Sequence, residues 1–202
     1  NWNNGNGQLL AGRNMTLNGG SLNNQGRIQA GEQFNYNGFT QLNQGGQLFA
    51  GNITLNGKQL DNSGETGSAD TLHIQTEETR NSGKTSSQGA FTLHSQKTGN
   101  SGQLLTNGSF TLKTGELDNR GKITSAGDAS VDAASVDNRG DIHAKEKLNL
   151  RGNTLKNRGT VAAGETDVAA EKLENGGILS GKTRISVSAP QMDNRGGSIV
   201  SD

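Results

Sequence analysis

The chain has 202 residues, a formal net charge of zero and no cysteine. The last excludes disulfides, thiolate metal sites and thiol nucleophiles, and the neutral balance argues against nucleic acid, whose phosphates select a basic face. Only 28% of residues are hydrophobic and 3% aromatic, against 31 glycines and one proline; such a chain lacks the means for an ordinary compact core, so order has to come from pattern.

From Trp2 onward the chain repeats itself. Units start at Trp2, Leu22, Leu42, Leu60, Thr79, Thr98, Leu117, Val136, Leu155, Leu173 and Met192, with spacings of 18 to 20 residues. The third position of each unit is Asn, except for Gln44, and the fifth is Gly in every unit after the first. Ten full units and part of an eleventh cover residues 1–202, which read as one repeat segment without a separate domain or linker. No run approaches the roughly 20 apolar residues of a membrane helix, so the chain is not expected to span a membrane.

Within a unit the apolar residues alternate, as in Ile142 and Ala144 or Leu148 and Leu150. That is strand periodicity. Three breaks divide each unit: the Asn-x-Gly, a Gly near position 10 or 11, and a looser break near positions 16 to 18. Gly and Asn tolerate positive φ, so these breaks predict corners. Three short arms and three corners make a triangular coil. One coil has too few inward side chains to offset the entropy of its own ordering, whereas stacked coils pair arm on arm and share a core. The predicted fold is therefore all-β: a right-handed parallel β-helix of about ten triangular coils, with the position-3 asparagines bonded along the stack. At roughly 4.8 Å per coil it is a rod of about 50 Å.

Taken in chain order, residues 1 to 60 contain only Arg13, Arg27, Glu32 and Lys58 as charges. Their Asn, Gln and Gly surface suits hydrogen bonding to sugars, or is simply solvated. Phe34, Phe91 and Phe110 fall at position 13 and Tyr36 at 15, which predicts core. Phe39 and Phe49 do not fit the inward frame, nor do Leu10 and Leu105; exposed apolar residues of this kind are candidates for a contact surface. In the middle, Thr66, Thr79, Thr85 and Thr98 replace Leu or Ile. Their hydroxyls need partners, so this region is expected to be the least stable. His73, His94 and His143 fall at even, outward positions of different coils, without a shared stack.

Further on, Arg120, Arg139 and Arg158 occupy position 4 of three consecutive coils. They form either a solvated ladder compensated by Asp118 and Asp137 or an anion-binding stripe. Arg139-Gly140-Asp141 is also the tripeptide that extracellular adhesins present to integrins. Because Asn-Arg-Gly recurs at 119–121, 157–159 and 194–196, only Asp141 distinguishes it from the repeat. Carboxylates such as Asp118 and Asp137, equivalent residues of adjacent coils, lie close enough to suggest paired acid chemistry, and an open ladder does not desolvate them. No nucleophile elbow, phosphate-binding loop or zinc motif occurs. No catalytic residue, metal or cofactor is expected.

At "LDNRGKITSAGDASVDAASVDNRGDIHA", residues 117–144, the sequence resembles the repeats of the filamentous haemagglutinin family, the large exoproteins of two-partner secretion in Gram-negative bacteria. The frame of the resemblance runs through the whole chain. It implies β-helical filaments exported through an outer-membrane transporter, secreted or held at the cell surface, serving as virulence adhesins, haemolysins or stalks of contact-dependent growth inhibition effectors. The segment is then expected to be a piece of a longer filament. Its first expected role is a non-enzymatic shaft; the second is a module that binds a host or target-cell receptor or glycan through one face. A β-helical carbohydrate-active enzyme is a distant third.

Overall fold

In the computed structural model, which describes residues 1–202, the chain is an all-β right-handed parallel solenoid of about eleven turns of ~19 residues, with no helix. Each strand pairs in parallel with its counterpart one turn before and one turn after. Arg27 on the second arm, for instance, lies between Gln8 and Gln47. The first three coils show the plan most clearly. First arms are Trp2–Asn4, Ser21–Asn24 and Thr40–Asn43; second arms are Gln8–Ala11, Arg27–Ala30 and Gln47–Ala50; third arms are Asn14–Asn18, Gln33–Asn37 and Asn52–Asn56.

Alternation along each arm sends every second side chain to the axis, where 35 buried apolar residues form one continuous core. Phe34, Tyr36, Phe91 and Phe110 are all within it, as their positions predict. Phe91 and Phe110 meet edge to face with centroids 5.1 Å apart, a favourable geometry for stacked rings.

The predicted asparagine ladder is present and unbroken. Ten side-chain bonds, each from an Nδ2 to the next Oδ1 at 2.6–2.9 Å, link Asn4, Asn24, Asn43, Asn62, Asn81, Asn100 and onward to Asn194. Every rung points the same way along the axis. The substituted threonines join this network: Thr85 donates to Asn81 at 2.9 Å and accepts from Asn62 at 3.0 Å. Thr98 bonds Thr114 at 3.1 Å.

Four expectations need correction. The third coil starts at Gln41, not Leu42, and its ladder residue is Asn43, not Gln44. Its first corner holds three residues, Gln44-Gly45-Gly46, where most coils hold two, and Gly45 absorbs the extra one at φ 73°. Gln41 consequently takes a core position, 2% exposed, with neither side-chain polar atom bonded.

The position-5 glycines, secondly, are not left-handed, with the exception of Gly196 in the last, partial unit. Only Gly19, Gly20, Gly45 and Gly196 have positive φ. The others are glycine because successive corners touch: a Cβ on Gly121 would lie 2.1 Å from the Gly102 carbonyl oxygen, and one on Gly140 the same distance from that of Gly121.

The third corner, moreover, does not persist as a turn. From Phe91 on, single strands run through it, as in Phe91–Asn100 and Phe110–Asn119, and Thr160–Asn175 passes two corners. Small core residues at the bend, such as Ala133, let the chain curve without interrupting its pairing. Finally, His73 and His94 do come together. They pair diagonally, and their rings meet edge to face at 5.9 Å.

Candidate functional site

Three surfaces of the rod carry the residues singled out by sequence. On the first corner, Arg120, Arg139 and Arg158 are exposed and stacked one coil apart. Each is engaged by an aspartate. Arg120 donates to Asp118 from Nε at 3.1 Å and Nη2 at 2.9 Å, Arg139 to Asp137 at 2.7 Å, and Arg158 to Asp137 at 3.3 Å. The same device closes the series, where Arg195 holds the Asp193 carboxyl down at about 2. The column is thus a ladder of three arginines on two aspartates, with Asp137 serving both Arg139 and Arg158. Exposed pairs of this kind add little to stability.

Arg139 and Gly140 form the corner itself, between the strands Ala129–Asn138 and Asp141–Ala144. Asp141 opens the strand Asp141–Ala144, is exposed, and donates its N–H to the Gly121 carbonyl at 2.9 Å. Its carbonyl accepts from the ladder residue Asn119 at 3.1 Å. Gly140 is packed against the preceding corner. The tripeptide is therefore held in the stack, with the arginine already paired to Asp137 and the aspartate free of any ion pair.

On the second arm, Phe49, Leu10 and Leu105 share one outward column. It runs Leu10, Gln29, Phe49, Gly67, Ser86, Leu105 by strand register. Leu10 is 61% exposed, and Phe49 is half-buried because its ring edge leans into the gap left by Gly67. Phe49 and its neighbours line an open depression of about 490 Å³ with Gln29, Lys84 and Gln88. Phe39 is not part of this column. It stands 60% exposed at the third corner, with the Lys58 ammonium 5.7 Å from its ring centroid. The off-frame apolar residues thus occupy two separate faces.

On the third arm, His73 and His94 border the polar middle of the rod. Burial lowers the His73 pKa, with the charge of His94 adding to the effect. His143 is exposed on the second arm, away from both. No group of three or more His, Asp or Glu side chains is placed to hold a metal ion. Asp118 and Asp137, aligned in register, each face an arginine. What the spacing did not reveal was the outer row on the same arm, Asn18, Asn37 and Asn56, itself bonded in series at 3.2 and 2.9 Å. The 19-residue recurrence of Asn was the signal that could have exposed it.

Stacked coils, a unidirectional amide ladder and charge-compensated sides define a repeat solenoid, a class whose members extend by adding coils. A family model for the haemagglutinin repeat matches residues 1–48, 30–161 and 161–202. The chain belongs to the haemagglutinin repeat family, as its resemblance to filamentous haemagglutinins implied. Proteins of that family are structural and adhesive, and typically secreted or surface-exposed. No curated protein and no solved structure matches the chain.

Proposed function

We propose that these coils are a non-enzymatic shaft segment of a filamentous adhesin or effector of the two-partner secretion type, exported through an outer-membrane transporter. One observation carries the reading. The asparagine ladder runs without a break through all eleven coils, with hydrogen bonds at every rung, so the rod transmits its geometry along the axis. Such a ladder stiffens a projecting stalk and serves no local chemistry. The absence of cysteine suits export of an unfolded chain that winds up outside the cell.

The test is export and shape of the parent protein in its own cell. Surface protease accessibility should vanish when the transporter is deleted, and isolated protein should form rods in electron micrographs. Persisting surface exposure without the transporter overturns the export route, and globular particles overturn the shaft.

A second reading, direct binding of a cell-surface receptor or glycan by one face, is favoured by the exposed ring of Phe39 and the outward ring of Phe49. For the arginine corner, the double variant Arg120→Ala with Arg158→Ala should fold normally; unchanged cell binding by it removes that corner from consideration. Asp141→Glu asks the same of the tripeptide, and undiminished cell attachment rules out a role for it.

A further inference from the structure

We infer that the third-arm face of the first three coils binds an uncharged oligosaccharide, with Phe39 as the stacking platform. This rests on the second reading above and names its face and ligand class. Every outward side chain of the strands Asn14–Asn18, Gln33–Asn37 and Asn52–Asn56 is Asn, Gln or Thr. The fold does not require this neutrality. In later coils the same columns carry Lys113, Asp132, Arg151, Lys147, Glu165 and Asp167. On these columns the next coils add only His73, Gln75, Thr92 and His94 before Lys113 brings the first formal charge, so the uncharged field belongs to the amino-terminal half of the rod, and the first three coils are its amide-rich part. Amides and hydroxyls present donors and acceptors together. They match the hydroxyls of a neutral sugar and give an anionic one no counter-charge.

The field is organised before any ligand arrives. Gln33 Nε2 donates to Asn35 Oδ1 at 2.9 Å, Asn56 Nδ2 to Asn37 Oδ1 at 2.9 Å, and Asn37 Nδ2 to Asn18 Oδ1 at 3.2 Å. Side chains already held this way lose less entropy on binding, and each amide has further donor and acceptor capacity facing solvent. Charge enters only at the borders. Arg13 and Glu32 neutralise each other at 2.8 Å on one edge, and Lys58 lies on the other, over Phe39.

Phe39 supplies what amides lack, an apolar surface for the C–H face of a sugar ring. It follows Asn37 and Gly38 at the edge of the field. Lys58 covers it from the third coil, whereas the first coil has Gly19 and Gly20 at that corner, with the small polar side chain of Asn1 beside Gly20. The corner is pinned from both directions. The Phe39 N–H donates to the Gly20 carbonyl at 2.8 Å. From the core, the Tyr36 hydroxyl lies 2.7 Å from the carbonyl oxygens of both Gly20 and Thr40. An exposed aromatic on a fixed backbone is a rigid anchor. Three coils at roughly 4.8 Å make a field about 10 Å along the axis, room for a short oligosaccharide.

The experiment is a glycan array of neutral, sialylated and sulfated sugars probed with the intact chain, followed by titration of the best binder. Neutral glycans are expected to bind, with affinity unchanged between about 50 and 500 mM salt because no ion pair forms. Phe39→Ala should weaken binding about tenfold or more with an unchanged circular dichroism spectrum, and Phe39→Tyr should restore it. Neutral-glycan binding that survives Phe39→Ala, or binding confined to charged glycans, overturns this inference while leaving a binding face elsewhere on the rod. Phe39-dependent dimerisation in sedimentation with no glycan bound overturns it in favour of a second copy. Failure to bind any glycan or any cell removes the second reading along with it.

Discussion

Asn100 donates its side-chain amide to Asn119 Oδ1 at 2.9 Å and to the Lys122 carbonyl at 3.1 Å, both asparagines being at most 2% exposed. Each rung thus ties one coil to the next twice, once through the ladder and once through the start of the following arm. The same pair of bonds recurs from Asn119 to Asn138 and Asp141. Because the donors all point toward the carboxy-terminal end, every interior asparagine is both acceptor and donor.

Replacing one interior rung should therefore cost more than one bond. Asn119→Ala strands the Asn100 donor and the Asn138 acceptor in a buried site, and each such orphan costs about 1–3 kcal/mol. A urea midpoint lowered to match is expected.

A corner glycine and a strand glycine should respond oppositely to alanine. Gly121→Ala drives a methyl into the Gly102 carbonyl and should destabilise by at least the roughly 1–3 kcal/mol of overpacking. Gly99, in the strand Phe91–Asn100, has open space around a Cβ and no positive φ. Gly99→Ala should be neutral or stabilise by about 0.4–1 kcal/mol through the unfolded chain. Equal melting temperatures for the two variants would contradict the corner-stacking explanation.

Gln41→Leu should stabilise the protein. Gln41 is buried without a partner for Nε2 or Oε1, and its neighbours in register are Leu22 and Leu60. Restoring the leucine column removes an unsatisfied amide, worth about 1–3 kcal/mol. Thermal denaturation of the single variant measures it.

The polar middle should open first. Thr66, Thr79, Thr85, Thr98 and Ser87 fill core positions that are Ile, Val, Leu or Ala in later coils such as 136–155. Hydrogen bonds satisfy the hydroxyls, yet less apolar area leaves water per coil. Amide hydrogen exchange should be faster across residues 60–106 than across 117–155; uniform protection along the rod would show that the hydroxyl network compensates in full.

Mild acid should act on the same region through His73. Its pKa is lowered in the folded state, by burial first and then by His94. The unfolded chain therefore binds the proton more readily, and stability falls as pH drops below about 6.5. His73→Gln should flatten the melting temperature between pH 5 and 7. The carboxylates lowered by their partners, Asp167 by Arg184 and Lys147, and Glu174 by Lys156 and Lys172, lose stability in a separate window near pH 4 and below.

Most of the fold was legible because each coil restates the same short code. Alternating Ile142 and Ala144, the recurring asparagine and the 18-to-20-residue spacing predict arms, corners and ladder without long-range information. The frame slipped at Leu42, where an extra corner residue moved Gln41 into the core and Asn43 into the ladder. A leucine there looks inward by composition, but strand register decides which side of the chain meets the axis.

The candidate surfaces were legible as lists of residues and not as places. Sequence set the arginines one coil apart and marked Phe39 and Phe49 as off-frame. Only stacking revealed that each arginine is held by an aspartate, and that Phe39 and Phe49 stand on different faces. It also brought His73 against His94 and set Phe39 between Lys58 and a corner of two glycines. By itself the sequence determined the repeat, its strand periodicity and its asparagine column, since these depend on neighbours within one coil. The tertiary structure decided which glycines tolerate a side chain, which polar core residue goes unpartnered and which surface is neutral. Those properties arise between residues about 19 positions apart, whose contacts exist only once the coils are stacked.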